Sequence, residues 1–179
     1  MNKRLATATC LLLTLFLIPT LAHAAPTRVN VTFAAAFIDT DPTRVDTVHA
    51  GGKVVEFYWE GTGGVVTGDI AGTIGEWTSS SRAFYSESYD PNHIDNNRLR
   101  DNVNEVFTVQ TTVDSETGTL TIEFRYKIDW IELSRKGTWL IVDSSGGLEG
   151  ARGHGTYSYT YDPNDPTAWP EFVGTITLP

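Results

Sequence analysis

Sulfur is almost absent from this chain, which holds one cysteine, Cys10, and one methionine, Met1. A single cysteine so near the start excludes a disulfide scaffold and leaves the rest without thiol chemistry. Histidine is scarce as well. His49, His93 and His154 stand alone, with no H-x-H or H-E-x-x-H spacing to hold a metal. The acidic stretches Asp39–Asp41, Asp90–Asp95 and Asp162–Asp165 miss the calcium-loop pattern, because Ile94 and Pro166 stand where Asp or Asn is required. They read as turns, and neither a metal nor a cofactor is expected. Positive charge is short: 13 Lys and Arg face 22 Asp and Glu, for a net charge of −9. Such a balance argues against nucleic acid and anionic membranes as partners, whose binding surfaces are basic. Nucleotide and serine-hydrolase motifs are missing too, since nothing matches G-x-x-x-x-G-K-[ST] or G-x-S-x-G.

Long apolar runs are confined to the N-terminus. Lys3 and Arg4 precede the run Cys10–Leu21, and Ala22-His23-Ala24 supplies a small-x-small site. This is the pattern of a signal peptide over residues 1–24, cleaved before Ala25. The run falls short of the roughly 20 residues that span a bilayer. No membrane insertion is expected, and Ala25–Pro179 is read as one exported domain, periplasmic or secreted. Loss of Lys3 and Arg4 leaves it more acidic still.

What the chain has in quantity is alternation. Leu120, Ile122, Phe124, Tyr126, Ile128 and Trp130 alternate with Thr121, Glu123, Arg125, Lys127 and Asp129, giving one apolar and one charged face. The preceding segment, about 103–113, joins it through a hairpin loop at Asp114–Gly118. Further strands are expected near 28–38, 53–60, 65–77, 82–89, 137–143, 153–161 and 171–178, with a polar surface loop at Asp90–Asn102. No segment carries a 3.6-residue apolar stripe. A pattern G-x-[IL]-x-G-x-x-G occurs twice, at Gly68–Gly75 and Gly146–Gly153, and Tyr-Asp-Pro-Asn follows each, at Tyr89–Asn92 and Tyr161–Asn164. Glycines so spaced mark bends and close backbone approaches. Together these features predict an all-β fold, a single antiparallel barrel of about eight strands.

Aromatic residues dominate the faces expected to turn inward. Phe57, Trp59, Tyr126, Trp130 and Trp139 are the candidate ligand-binding residues, with Trp59 and Trp130 at strand ends where a barrel mouth would lie. Carboxylates are the candidates for acid–base chemistry. Glu56 and Glu60 share a strand face about 13 Å apart, beyond the roughly 5–9.5 Å of glycosidase pairs. A working acid or base would therefore be formed across strands, from Glu56, Glu76 or Glu123, or from Tyr126.

Ser145–Tyr157, following Gly137-Thr138-Trp139, resembles the closing segment of small bacterial barrels related to allene oxide cyclases, where a strand leads into a G-x-L-x-G-x-x-G-x-G run and an aromatic strand. Gly68–Tyr89 is similar to their central strand pair. The likeness runs loosely over Val54–Leu178. It implies an eight-stranded antiparallel barrel with a cavity open at one end, and no cyclase site residue can be matched. The expected function is binding of a small apolar or amphipathic molecule in the barrel. Two readings stand beside it: a cofactor-independent cyclase or isomerase in the same cavity, and a structural or interaction domain with a filled core.

Overall fold

Alternating sequence becomes ten strands and no helix in the computed structural model, which describes residues 25–38, 42–160 and 171–179. The strands are β1 (Thr27–Phe37), β2 (Thr43–Val48), β3 (Val54–Thr62), β4 (Gly64–Gly68), β5 (Gly72–Tyr85), β6 (Arg98–Val113), β7 (Glu116–Asp129), β8 (Ser134–Gly146), β9 (Arg152–Thr160) and β10 (Glu171–Leu178). All pairings are antiparallel. β3 and β4 keep one register along β5 and are separated only at Gly63, whose N–H still bonds Gly75. β1 and β2 likewise run in succession beside them. Counted as bent strands, these make eight that meander up and down, closed into a barrel by β1 against β10. The expected antiparallel barrel is the one observed.

Closure requires the strands to tilt. A hydrogen-bonded row starting at Trp59 passes Ser79, Glu105, Phe124, Trp139, Gly155 and Gly174 and arrives at Val31. The next residue, Thr32, exchanges bonds with Asp69, so the row returns to the β3–β4 strand well beyond its starting point. The β2–β3 corner therefore overhangs the ring at the end opposite the tight turns. We call that end upper and the turn end lower.

The doubled glycine pattern closes the lower end. Gly68 and Gly146 hold φ of 94° and 69°, which glycine adopts without steric cost. Each turn then drops its central aliphatic side chain, Ile70 or Leu148, into the barrel, where both are fully buried. Above them Trp139 lies across β9 and β10. A Cβ on Gly155 or Gly174 would fall 2.3 or 2.5 Å from its indole, so both strands leave a notch for the ring. The aromatic column continues upward through Phe107, Phe124, Phe172 and Tyr157, with successive ring centroids 5.0, 4.2 and 4.5 Å apart.

Local details depart from the sequence reading in five places, the first of them β2, where no strand is expected. The hairpin between β6 and β7 turns on Asp114-Ser115 alone, both at positive φ, the signature of a two-residue type I′ turn. Gly118 already pairs within β7. The expected strand 65–77 is interrupted by the turn after Gly68, and the expected break before 82 is filled by the continuous β5. The upper loop spans 86–97 rather than 90–102, and there Asp90 accepts from the Asn92 N–H as the Tyr-Asp-Pro-Asn reading required. The copy at 161–164 and the signal peptide at 1–24 lie outside the described residues.

Two substitutions separate the plug from the notch. Leu148→Ala should cost about 2–5 kcal/mol, as a buried leucine deletion does. Gly155→Ala should cost at least as much, because rigid neighbours meet the new methyl group on two sides, the Trp139 ring and the Val173 carbonyl. Chemical denaturation of both variants checks this, and a Gly155→Ala protein of unchanged midpoint would refute the notch.

Candidate functional site

The interior divides in two along its axis. Its lower part is dry, lined by Val31, Ile74, Val109, Leu120, Ile122 and Ile176 among others. Among the described residues ionisable side chains enter only above the Phe124 level, and the polar group buried below it is Thr111, whose hydroxyl donates to the Ala71 carbonyl. Glu105 of β6, Ser79 of β5, Tyr126 of β7, Arg135 of β8 and Tyr157 of β9 all occupy inward positions there.

Glu105 is the centre of this group. Its Oε1 accepts from the Tyr126 hydroxyl at 2.8 Å and from the Ser79 hydroxyl at 3.3 Å. Oε2 has no hydrogen-bond partner among the described residues. Burial raises the pKa of this carboxyl, against the lowering pull of both hydroxyls and of Arg135. Burial, then the Glu105 charge, drives the Tyr126 phenol far upward, so it stays a donor at any relevant pH. Arg135 lies against the Tyr157 hydroxyl and keeps its charge despite its burial. Tyr157 is in turn raised by desolvation, which outweighs the guanidinium's opposite effect.

The overhang carries a second, separate construction. Val55, Phe57, Ala83 and Tyr85 form a small core under loop 86–97. Two guanidinium groups are threaded through its aromatic residues. Arg44 lies 4.9 Å from the Trp59 ring centre and 5.1 Å from that of Phe57, and Arg98 lies 5.1 Å from Phe57 and 4.9 Å from Trp130. The order is Trp59, Arg44, Phe57, Arg98, Trp130, alternating ring and cation. Each cation has its own carboxylate. Arg44 forks onto Asp46, and Tyr89 bonds both. Desolvation pushes Asp46 up, but the bonds from Arg44 and Tyr89 prevail and hold it below the ordinary range. Arg98 forks onto the fully buried Asp101. Tyr85 bonds the Ile94 carbonyl of the loop, and burial pushes its phenol up to about 12.

Of the five aromatic candidates, Phe57, Trp59 and Trp130 are brought together in this ladder. Tyr126 stands beside Glu105, and Trp139 is buried in the lower core. The candidate carboxylates lie elsewhere. Glu56 is half exposed on the outer face with Arg82 and His49. Glu76 sits in the outward bulge of β5, and Glu123 faces outward beneath Arg125. The desolvated carboxylate is Glu105, which the sequence reading passed over. Its signal was parity: it shares a face of β6 with Val103, Phe107, Val109 and Val113, all buried. Among the described residues no three His, Asp or Glu side chains converge as metal ligands, and no helix is long and apolar enough to cross a membrane. No protein-family model matches the chain, and no curated protein matches it.

A raised carboxyl pKa makes folding pH-dependent in a definite direction. Between the ordinary value near 4.5 and the raised one, folded Glu105 holds a proton that the unfolded chain has released. Its contribution therefore weakens stability as pH rises through that window. Glu105→Gln should stabilise the protein by roughly 1–3 kcal/mol at pH 7 and by little at pH 4. Equal effects at the two pH values in urea unfolding would show that Glu105 is not desolvated.

Proposed function

We propose that the protein is an exported binding protein that takes a small amphipathic molecule through the upper end of its barrel. The observation that carries this reading is Glu105, a half-buried carboxyl beside the aromatic column whose Oε1 takes two hydroxyls while Oε2 bonds no described residue. Burying a carboxyl costs several kcal/mol that an aliphatic side chain would not. Strongly perturbed carboxyls with converging polar neighbours mark ligand sites more often than structural ones. Binding pockets in general combine apolar walls with a few placed polar groups. Here Glu105, Arg135 and the hydroxyls of Tyr126 and Tyr157 would take the polar head, and Trp59 with the ladder beyond it would border the apolar tail. A protonated Glu105 donates to a carbonyl or hydroxyl oxygen, so long-chain alcohols and ketones suit the site. The Glu105–Tyr126 contact also supports a second reading, a cofactor-free isomerase or cyclase in which the raised carboxyl moves the proton.

Titration of tryptophan fluorescence with C8–C14 alcohols and methyl ketones tests the binding reading. A saturable shift is expected, weakened about tenfold or more in Glu105→Leu, the loss of one buried hydrogen bond. No shift with any of these probes would count against the site.

A further inference from the structure

A trough of about 870 Å³ runs across the outer face of the barrel, over β2, β3, β5, β6, β7 and β8. Two hydrogen-bonded rungs of outward side chains line it. One passes from Glu56 through Arg82, Asn102 and Lys127 to Lys136. The other passes from Tyr58 through Ser80, Asn104 and Arg125 to Thr138. Four cations and one carboxylate thus line the trough of a chain whose net charge is −9.

Folding does not account for this placement. Lys127 and Lys136 stand directly opposite each other on adjacent strands, a like-charge pairing that destabilises a sheet. Neither has an ion-pair partner among the described residues, whereas Arg82 and Arg125 have Glu56 and Glu123. We infer that the trough binds an anionic polysaccharide, a chain of uronic acid units, independently of the barrel interior.

The chemistry favours a sugar chain over an acidic peptide. The floor is the face of a sheet whose backbone groups are paired from β3 to β8; the free side of β2 lies at its margin, away from Arg82, Lys127 and Lys136, so a peptide strand adding there would not run along the cations. What it does offer is Asn102, Asn104, Ser80 and Thr138, amide and hydroxyl groups suited to sugar hydroxyls. Tyr58, 40% exposed at one end, presents a ring for a sugar face. Neighbouring strands are about 4.8 Å apart, close to the length of one sugar unit, so carboxylates on adjacent units can meet Lys127 and Lys136 and one two units further on can meet Arg82 across Asn102.

Affinity electrophoresis of the wild-type protein through gels containing polygalacturonate, neutral dextran, polyglutamate or a single-stranded oligonucleotide tests the inference. Retardation by polygalacturonate is expected, diminishing with added salt, with none by dextran. Lys127→Gln/Lys136→Gln should weaken it about tenfold, as expected for two screened charge contacts, at an equal or higher melting temperature, because the like-charge pair is gone. Glu105→Leu should leave it intact, which separates this site from the interior one. Absence of retardation by polygalacturonate, or full retention in the double lysine variant, overturns the inference. Equal retardation by polyglutamate or the oligonucleotide overturns it too, by showing a different class of occupant.

Discussion

Closure of the sheet is the constraint from which the rest follows. Once β1 pairs with β10 the ring is closed, and among the described residues only the overhanging β2, paired with β3 alone, keeps a free edge. The tilt that closure demands carries the hydrogen-bonded rows obliquely round the barrel. It leaves β2 and β3 overhanging the upper end as a flap of sheet backed by its own small core. The outer rungs of that flap and of β5–β8 become the wall of the trough, and its inner face carries the stacked arginines.

Within the ring, chemistry is distributed by height. The lower end, stopped by Ile70 and Leu148, is packed with apolar side chains, and Thr111, buried among them, gives its hydroxyl proton to the Ala71 carbonyl. At the upper end, burial of Glu105, Arg135, Arg98 and Asp101 works against stability unless each finds partners. Arg98 and Asp101 satisfy each other and sit between aromatic faces, so that pair is a self-contained structural unit. Glu105 is different, because its partners engage one oxygen only. A fully compensated pair in the overhang and a half-compensated carboxyl in the barrel thus stand side by side, and the second has the character of a site.

Much of the architecture could be read from alternation alone. β7 is predicted residue by residue because its two faces differ so sharply, and the paired glycine turns signal where backbone must bend. β2 could not be read in this way. Thr-Arg-Val-Asp-Thr-Val shows no apolar face, since its inward residues, Arg44 and Asp46, neutralise each other against Phe57, Trp59 and Tyr89. Trp59 and Trp130 are expected at strand ends, but β3 continues past Trp59 to Thr62 and only Trp130 lies just beyond the end of its strand. Their connection through two guanidinium groups depends on residues distant in sequence, and no local pattern announces it. The trough is equally hidden, because Arg82 and Lys136 become neighbours only through the rungs of the strands between them.

The meander has a consequence for the order in which the molecule can be made. Each strand finds its partner in the segment just synthesised, so assembly can proceed from hairpin to hairpin with short loops to close. One pairing is exempt from this economy. β1 waits for β10, the last strand of the ring to be made, and until then the curling sheet carries two exposed margins. Glu171–Leu178 thus acts as a latch. Before that the sheet is an open ribbon with adhesive borders, and eight residues convert it into a closed ring.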